Sequence, residues 1–66
     1  RVGDVGERLA ELPPSQRVVV VLHHLDGLTV PEVAERVGRS VRAVESSLAR
    51  ARRTMRRASE EDADGR

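Results

Sequence analysis

The sequence predicts a small all-α domain of four helices that contains a helix-turn-helix. Three observations predict it. Apolar residues recur at the i, i+3, i+4, i+7 spacing of a helix face in four separate stretches. Stop and start signals divide those stretches: Pro13-Pro14, Asp26-Gly27 and Gly38-Arg39-Ser40. Finally, a short helix, a turn of about three residues and a long helix follow one another at the end of the chain, the proportions of a helix-turn-helix.

Helix one is expected over about 4–12, with Val2, Val5, Leu9 and Leu12 at helical spacing and Asp4 and Glu7 near its start. Pro13-Pro14 stops it, and Gly3 and Gly6 weaken it. Helix two is expected over 14–26, because proline is well placed in a first turn. Val18, Val21, Leu22 and Leu25 would form its core face. The run Val18-Val19-Val20-Val21 alone resembles a buried strand, but the chain offers no second strand to satisfy its backbone. Gly27 is expected to end this helix in a left-handed conformation.

Thr29-Val30-Pro31-Glu32 matches a capping box, with threonine as the cap, proline in the first turn and Glu32 reaching back. Helix three would then cover 30–37 with Val30, Val33, Ala34 and Val37 on one face, and Gly38 would end it. Ser40 is the next cap, and helix four would cover 41–57 with Val41, Val44, Leu48, Ala51 and Met55 inward. The domain therefore reads as 1–57, followed by an acidic tail over 58–66 that is poor in apolar residues and expected to be disordered.

Charge is strongly segregated along the chain. Arg36 to Arg57 holds eight arginines against one acid, Glu45, a charge of +7. Arg1 to Glu35 and Ala58 to Arg66 each sum to −3, so the net +1 of 66 residues conceals a polarised molecule. A basic helix on a helix-turn-helix is the footprint of a nucleic-acid reader. All basic charge is arginine, which suits bidentate recognition of guanine and phosphate.

Composition excludes several classes. Phe, Tyr and Trp are absent, so bases cannot be stacked on aromatic rings as single-strand and RNA-loop readers do. The core must be Val, Leu, Ala and Met, worth roughly 3–5 kcal/mol at this size. Without cysteine there is neither a disulfide framework nor a thiolate metal site. The longest apolar run, Val18 to Leu22, is too short to cross a bilayer, and no secretion signal is visible. A cytoplasmic location without membrane insertion is the default. The first residue is Arg1 rather than Met, which reads as a piece of a longer protein.

The physics of the motif assigns candidate residues. The first helix of the pair braces across the DNA backbone, and the start of the second enters the major groove. At about 100° per residue, Arg42, Ser46, Ala49, Arg53 and Arg57 point away from the apolar side of helix four, with Arg39, Ala43 and Arg50 beside them. Small residues between arginines allow close approach. Arg39, Arg42, Glu45, Ser46 and Ser47, entered from Ser40, are placed to meet base edges. Arg42 would fork onto a guanine, and Glu45 would either accept from a cytosine amine or pair with Arg42. Arg50, Arg53 and Arg57 are placed for phosphates, and the N-terminus of helix three at Thr29 and Val30 offers N–H groups to another. The opposing interpretation, that an arginine-rich helix is only a solvated face, is outweighed by the turn spacing and the scarcity of acids.

Taken together, Leu12-Pro13-Pro14, Arg17 ahead of an apolar helix, Asp26-Gly27-Leu28-Thr29, Glu32-Val33-Ala34, Gly38, Ser40, Val44, Ser46, Leu48 and Arg50-Ala51-Arg52 resemble region 4 of bacterial RNA polymerase sigma factors. The pattern is most similar to the extracytoplasmic-function type and covers about Leu9 to Arg57. The resemblance implies a four-helix domain that recognises the minus-thirty-five promoter element in double-stranded DNA through its last helix. It also implies docking on the flap of the polymerase β subunit, and often sequestration by an anti-sigma factor. Two departures matter. Glu45 and Ser47 stand where the family commonly has lysine and arginine, and Ala43 stands where threonine is common. They imply fewer phosphate contacts and a different preferred promoter.

Two rivals stay open at this level. A response-regulator output domain has a similar four-helix plan, and a protein-interaction module would use the charged helix to bind an acidic partner. Val19 and Val20 exceed the needs of helix two's core face, so they are candidates for a partner-binding patch unless helix one covers them. His23 and His24 are adjacent and project to different sides of a helix, whereas metal pairs want i, i+3 or i+4 spacing. No catalytic constellation and no glycine-rich phosphate loop are present, so no enzyme activity, metal or cofactor is expected.

Overall fold

In a computed structural model, residues 8–64 are described, with side chains over 8–57. Positions 8–11 form the helical turn α1. The expected start of this helix, with Val2 and Val5, lies outside the described residues. Leu12 N–H donates to the Leu9 carbonyl at 3.1 Å, and the Leu12 side chain is only 2% exposed. Arg17 also caps this end: its Nε donates to the same Leu9 O at 3.1 Å and its Nη2 donates to Leu12 O at 2.9 Å. A cation on the last carbonyls of a helix satisfies groups that have no intrahelical partner.

Helix α2 (Pro14–Val20) opens on Pro14 and continues into a wide π-helical turn over Val21–Leu25. Asp26 N–H reaches back five residues to Val21 O at 3.0 Å, and Leu28 N–H reaches back six to Leu22 O at 3.0 Å. Gly27, at φ +78°, makes the left-handed exit. The expected core face of this helix is corrected. Val19 and Val20 are buried, at 0% and 6%, whereas Val18 and Leu25 are 41% and 60% exposed. Five consecutive apolar residues carry no period of their own, and a π turn holds more residues than an α turn, so a face projected at 3.6 residues per turn slips. Val19 and Val20 are therefore core residues rather than a free partner patch.

Helix α3 (Val30–Val37) begins with the reciprocal capping box: Glu32 N–H donates to Thr29 Oγ1 at 3.3 Å, and Thr29 N–H donates to Glu32 Oε1 at 2.8 Å. It ends at Gly38, φ +73°, whose N–H and that of Arg39 both reach Ala34 O. Helix α4 (Val41–Asp64) is 24 residues long and starts under Ser40, whose Oγ accepts from Ala43 N–H at 3.0 Å. The helix does not stop near Arg57 as the composition suggested. Its backbone stays helical through Asp64, because Ala58 to Ala63 contains neither proline nor glycine and the first breaker is Gly65.

One core joins these elements: Leu12, Val19, Val20, Val33, Ala34, Val44, Leu48 and Ala51, with Leu9, Leu22, Leu28, Val30, Val37 and Met55 packed around it. Helices α2 and α3 both lie against α4, which leaves the opposite side of α4 open to solvent. Val41, expected inward, is 40% exposed at the very start of α4, beyond the reach of the core. All the described secondary structure is helical.

Candidate nucleic-acid interface

The site is the turn and outer face of the helix-turn-helix formed by α3, Gly38-Arg39-Ser40 and α4. Burial of Val44, Leu48 and Ala51 fixes the rotation of α4, because these residues pack into the core. Arg42, Glu45, Ser46, Arg50, Arg53 and Arg57 are consequently exposed. Ala43 and Ala49 are half-buried and keep the surface between them low. Ser40 is exposed, but its hydroxyl is already the cap of α4.

Three of the expected contact residues sit differently. Ser47 is 3% exposed, since it lies only one position from Leu48 on the buried side of α4. It cannot meet a base edge. Arg39 is half-buried, and its guanidinium is turned inward: Nη2 donates to Ser47 Oγ at 2.7 Å and to Ala43 O at 3.4 Å, and Nη1 donates to Ser15 O at 3.4 Å. Thr29 is exposed, yet its N–H and that of Glu32 are consumed by the capping box, and Pro31 has none. Of the opening N–H groups at the front of α3, that leaves Val30. The Glu32 carboxyl is held below its ordinary pKa, first by the Thr29 N–H bond, then by the Thr29 side chain and the nearby Arg36 charge. An ionised Glu32 beside this terminus opposes an incoming phosphate.

An apolar groove lies mostly outside the Val19–Val20 pair that the sequence singles out. Leu9, Val20, His24, Leu25, Arg52 and Met55 line this half-open groove of about 330 Å³, in which α4 contributes Arg52 and Met55. Val20 belongs to its floor; Val19 does not. Leu25 was the available signal, an apolar residue just before the Asp26-Gly27 stop, where a helix runs out of core. His23 and His24 do not diverge: their rings meet edge to face with centroids 4.7 Å apart. His23 Nδ1 lies 2.7 Å from Leu28 O, and because a carbonyl only accepts, Nδ1 carries the proton. This bond ties the π turn to the segment that leads into α3.

An exposed arginine face on a helix-turn-helix is common to many DNA readers, and similarity to known proteins decides among them. The model of the family Sigma-70, region 4 matches residues 3–55. The chain belongs to the sigma-70 region 4 family. In sigma factors, region 4 recognises the −35 promoter element, and the family binds DNA without catalysing a reaction. Comparison with curated proteins and with solved structures finds no significant match. Among the described residues of this region 4 domain, no helix is long and apolar enough to cross a membrane.

Proposed function

We propose that this domain reads the −35 element of its promoters through the outer face of α4, as the promoter-recognition end of an extracytoplasmic-function sigma factor. One observation carries the reading: Arg42, Ser46, Arg50, Arg53 and Arg57 lie exposed on the side of α4 that faces away from the core, with Glu45 as the lone acid among them. In this reading Arg42 and Ser46 meet base edges, with Arg42 forking onto a guanine and Glu45 accepting from a cytosine amine. Ala43 and Ala49 let the groove edge approach closely, and Arg50 and Arg53 hold phosphates. Ser40 faces the backbone at the mouth of α4, whereas Thr29 is engaged in its capping box with Glu32. Ser47 and Arg39 fall outside the contact set because of their burial and internal bonds.

The family match supports a sigma factor over a response-regulator output domain. Docking on the polymerase β flap, and capture by an anti-sigma factor, are the partner interactions that the extracytoplasmic-function resemblance adds. The groove at Leu9, Leu25 and Met55 is where an apolar helix of such a partner would lie.

The test is a fluorescence-anisotropy titration with the dye on the DNA, since the chain has no Trp or Tyr to report binding. A GGAAC-type promoter duplex and a randomised duplex are compared at two salt concentrations. The reading expects a preference for the promoter duplex and an affinity that falls with salt, with a log–log slope of about −0.9 per phosphate neutralised. Equal binding to both duplexes would leave only non-specific attraction and end the reading.

A further inference from the structure

We propose that Arg39 is a positioning residue for promoter reading: its guanidinium clamps the first two turns of α4 to the N-terminal turn of α2 and so sets the angle at which α4 presents Arg42 and Ser46. This rests on the promoter reading above. Arg39 lies in the turn, two residues before α4, on the part of the chain closest to DNA in that reading. A cation there is in the right place for a phosphate, yet three of its five N–H donors, including both on Nη2, are used internally. Nη2 donates to Ser47 Oγ at 2.7 Å and to Ala43 O at 3.4 Å, and Nη1 donates to Ser15 O at 3.4 Å. One planar group thus spans the start of α2, the turn and two successive turns of α4.

The far end of the clamp is built for it. Ser47 is the buried polar side chain of the core region, 3% exposed between Val44 and Ala51. A hydroxyl taken out of water must find a partner, and a guanidinium fork is a rigid and strong one. A lysine would offer a point charge on a flexible stem and could not bridge Ser15 and Ser47 at once. Base reading demands that side chains be held within about 0.5 Å of their working positions. Other restraints on the start of α4 include the Ser40 cap and the contact of Val44 with the core. Neither restrains the helix relative to α2 by a directional bond. Arg39 does.

A phosphate contact and a clamp make opposite predictions, and two readouts separate them. The 66-residue chain is titrated with the promoter and randomised duplexes over a series of salt concentrations, and affinities are scaled to the folded fraction measured by circular dichroism. Arg39→Met keeps the stem and removes the donors; Ser47→Ala removes only the hydroxyl and is the gentler change; Arg53→Ala serves as the phosphate-contact standard. The clamp expects Arg39→Met and Ser47→Ala each to lower the promoter-to-random affinity ratio by roughly tenfold, the scale of one charge-assisted hydrogen bond. The double variant should be no worse than the worse single one, because both remove the same interaction. The salt slope of Arg39→Met should match the parent, whereas Arg53→Ala should lose about 0.9 of slope. A loss of about 0.9 of slope in Arg39→Met with an unchanged ratio would make Arg39 a phosphate contact and overturn the clamp. A shifted melting curve with both ratio and slope unchanged would reduce the bonds to fold stability, and overturns it too. A parent chain without promoter preference ends the promoter reading and the clamp's role in it together. A parent preference that survives Arg39→Met ends the clamp alone.

Discussion

The side chain on which promoter reading turns is Arg42. It is exposed in the first turn of α4, and no hydrogen bond among the described residues holds it in the way that Arg39 is held. Arg42→Ala is expected to cost about 1–3 kcal/mol on the preferred duplex and to relax selectivity at one base position. Competition against single-base variants of the duplex checks this; an equal loss on every sequence would make Arg42 a phosphate ligand. Glu32 provides a second prediction. Its folded pKa is lowered by the Thr29 N–H and hydroxyl and by Arg36, so it stabilises the fold above the ordinary glutamate pKa, and that contribution is lost as pH falls through the lower folded value. Thermal melts from neutral to acid pH should show a loss in the parent that is smaller in Glu32→Gln; parallel curves would contradict the assignment. At this scale the sequence was an uneven guide. The outward set Arg42, Ser46, Arg50 and Arg53 came from helical rotation alone. The inward turn of Arg39 did not, because it depends on where the Ser15 carbonyl and Ser47 hydroxyl come to lie in three dimensions.

Among the elements, α3 and its flanking turn were the most legible, since each boundary is written in local chemistry. The Thr29–Glu32 box and left-handed Gly38 are backbone requirements that only a few residue types meet. Gly38→Ala tests this directly. A Cβ there meets nothing within 4 Å, so the expense is purely that of a left-handed backbone, about 1–2 kcal/mol in a urea melt. Helix α2 was legible as a helix but not in its rotation, because Val18 to Leu22 is apolar on every side and the π turn rotates the residues beyond Val20 out of the projected phase. The reach of α4 past Arg57 was obscured by the acidic composition of residues 58–64, which lowers hydrophobicity without supplying a helix breaker. Helix packing has its own test in Val33, which is fully buried between α3 and α4. Val33→Asp puts an unpaired charge in a minimal core and is expected to unfold the domain rather than weaken DNA binding alone. Far-UV circular dichroism with parent-like melting would refute that packing.

Across the whole molecule, function rests on the separation of two surfaces by one long helix. The core clamps one side of α4, Arg42, Arg50, Arg53 and Arg57 occupy the other, and the apolar groove lies along the flank that carries Arg52 and Met55. In the proposed reading, DNA and a protein partner would therefore meet different faces. The charge distribution makes the same point: the +7 segment from Arg36 to Arg57 is flanked on both sides by segments of −3. Removing Ala58 to Arg66 takes away that second acidic flank, and the shortened chain should bind randomised duplex more tightly at low salt, with the difference vanishing as salt screens it. Identical affinities at low salt would show that the acidic end has no electrostatic reach to the interface. The central claim is that DNA lands on the outer face of α4, and the most direct measurement is a map of backbone amide chemical shifts as promoter duplex is added to the labelled protein. The largest shifts are predicted at Ser40, Arg42, Ala43, Ser46, Arg50 and Arg53, with little change at Leu9, Leu25 and Met55. Shifts concentrated around the Leu9–Leu25–Met55 groove, with Arg42 and Ser46 unmoved, would contradict it.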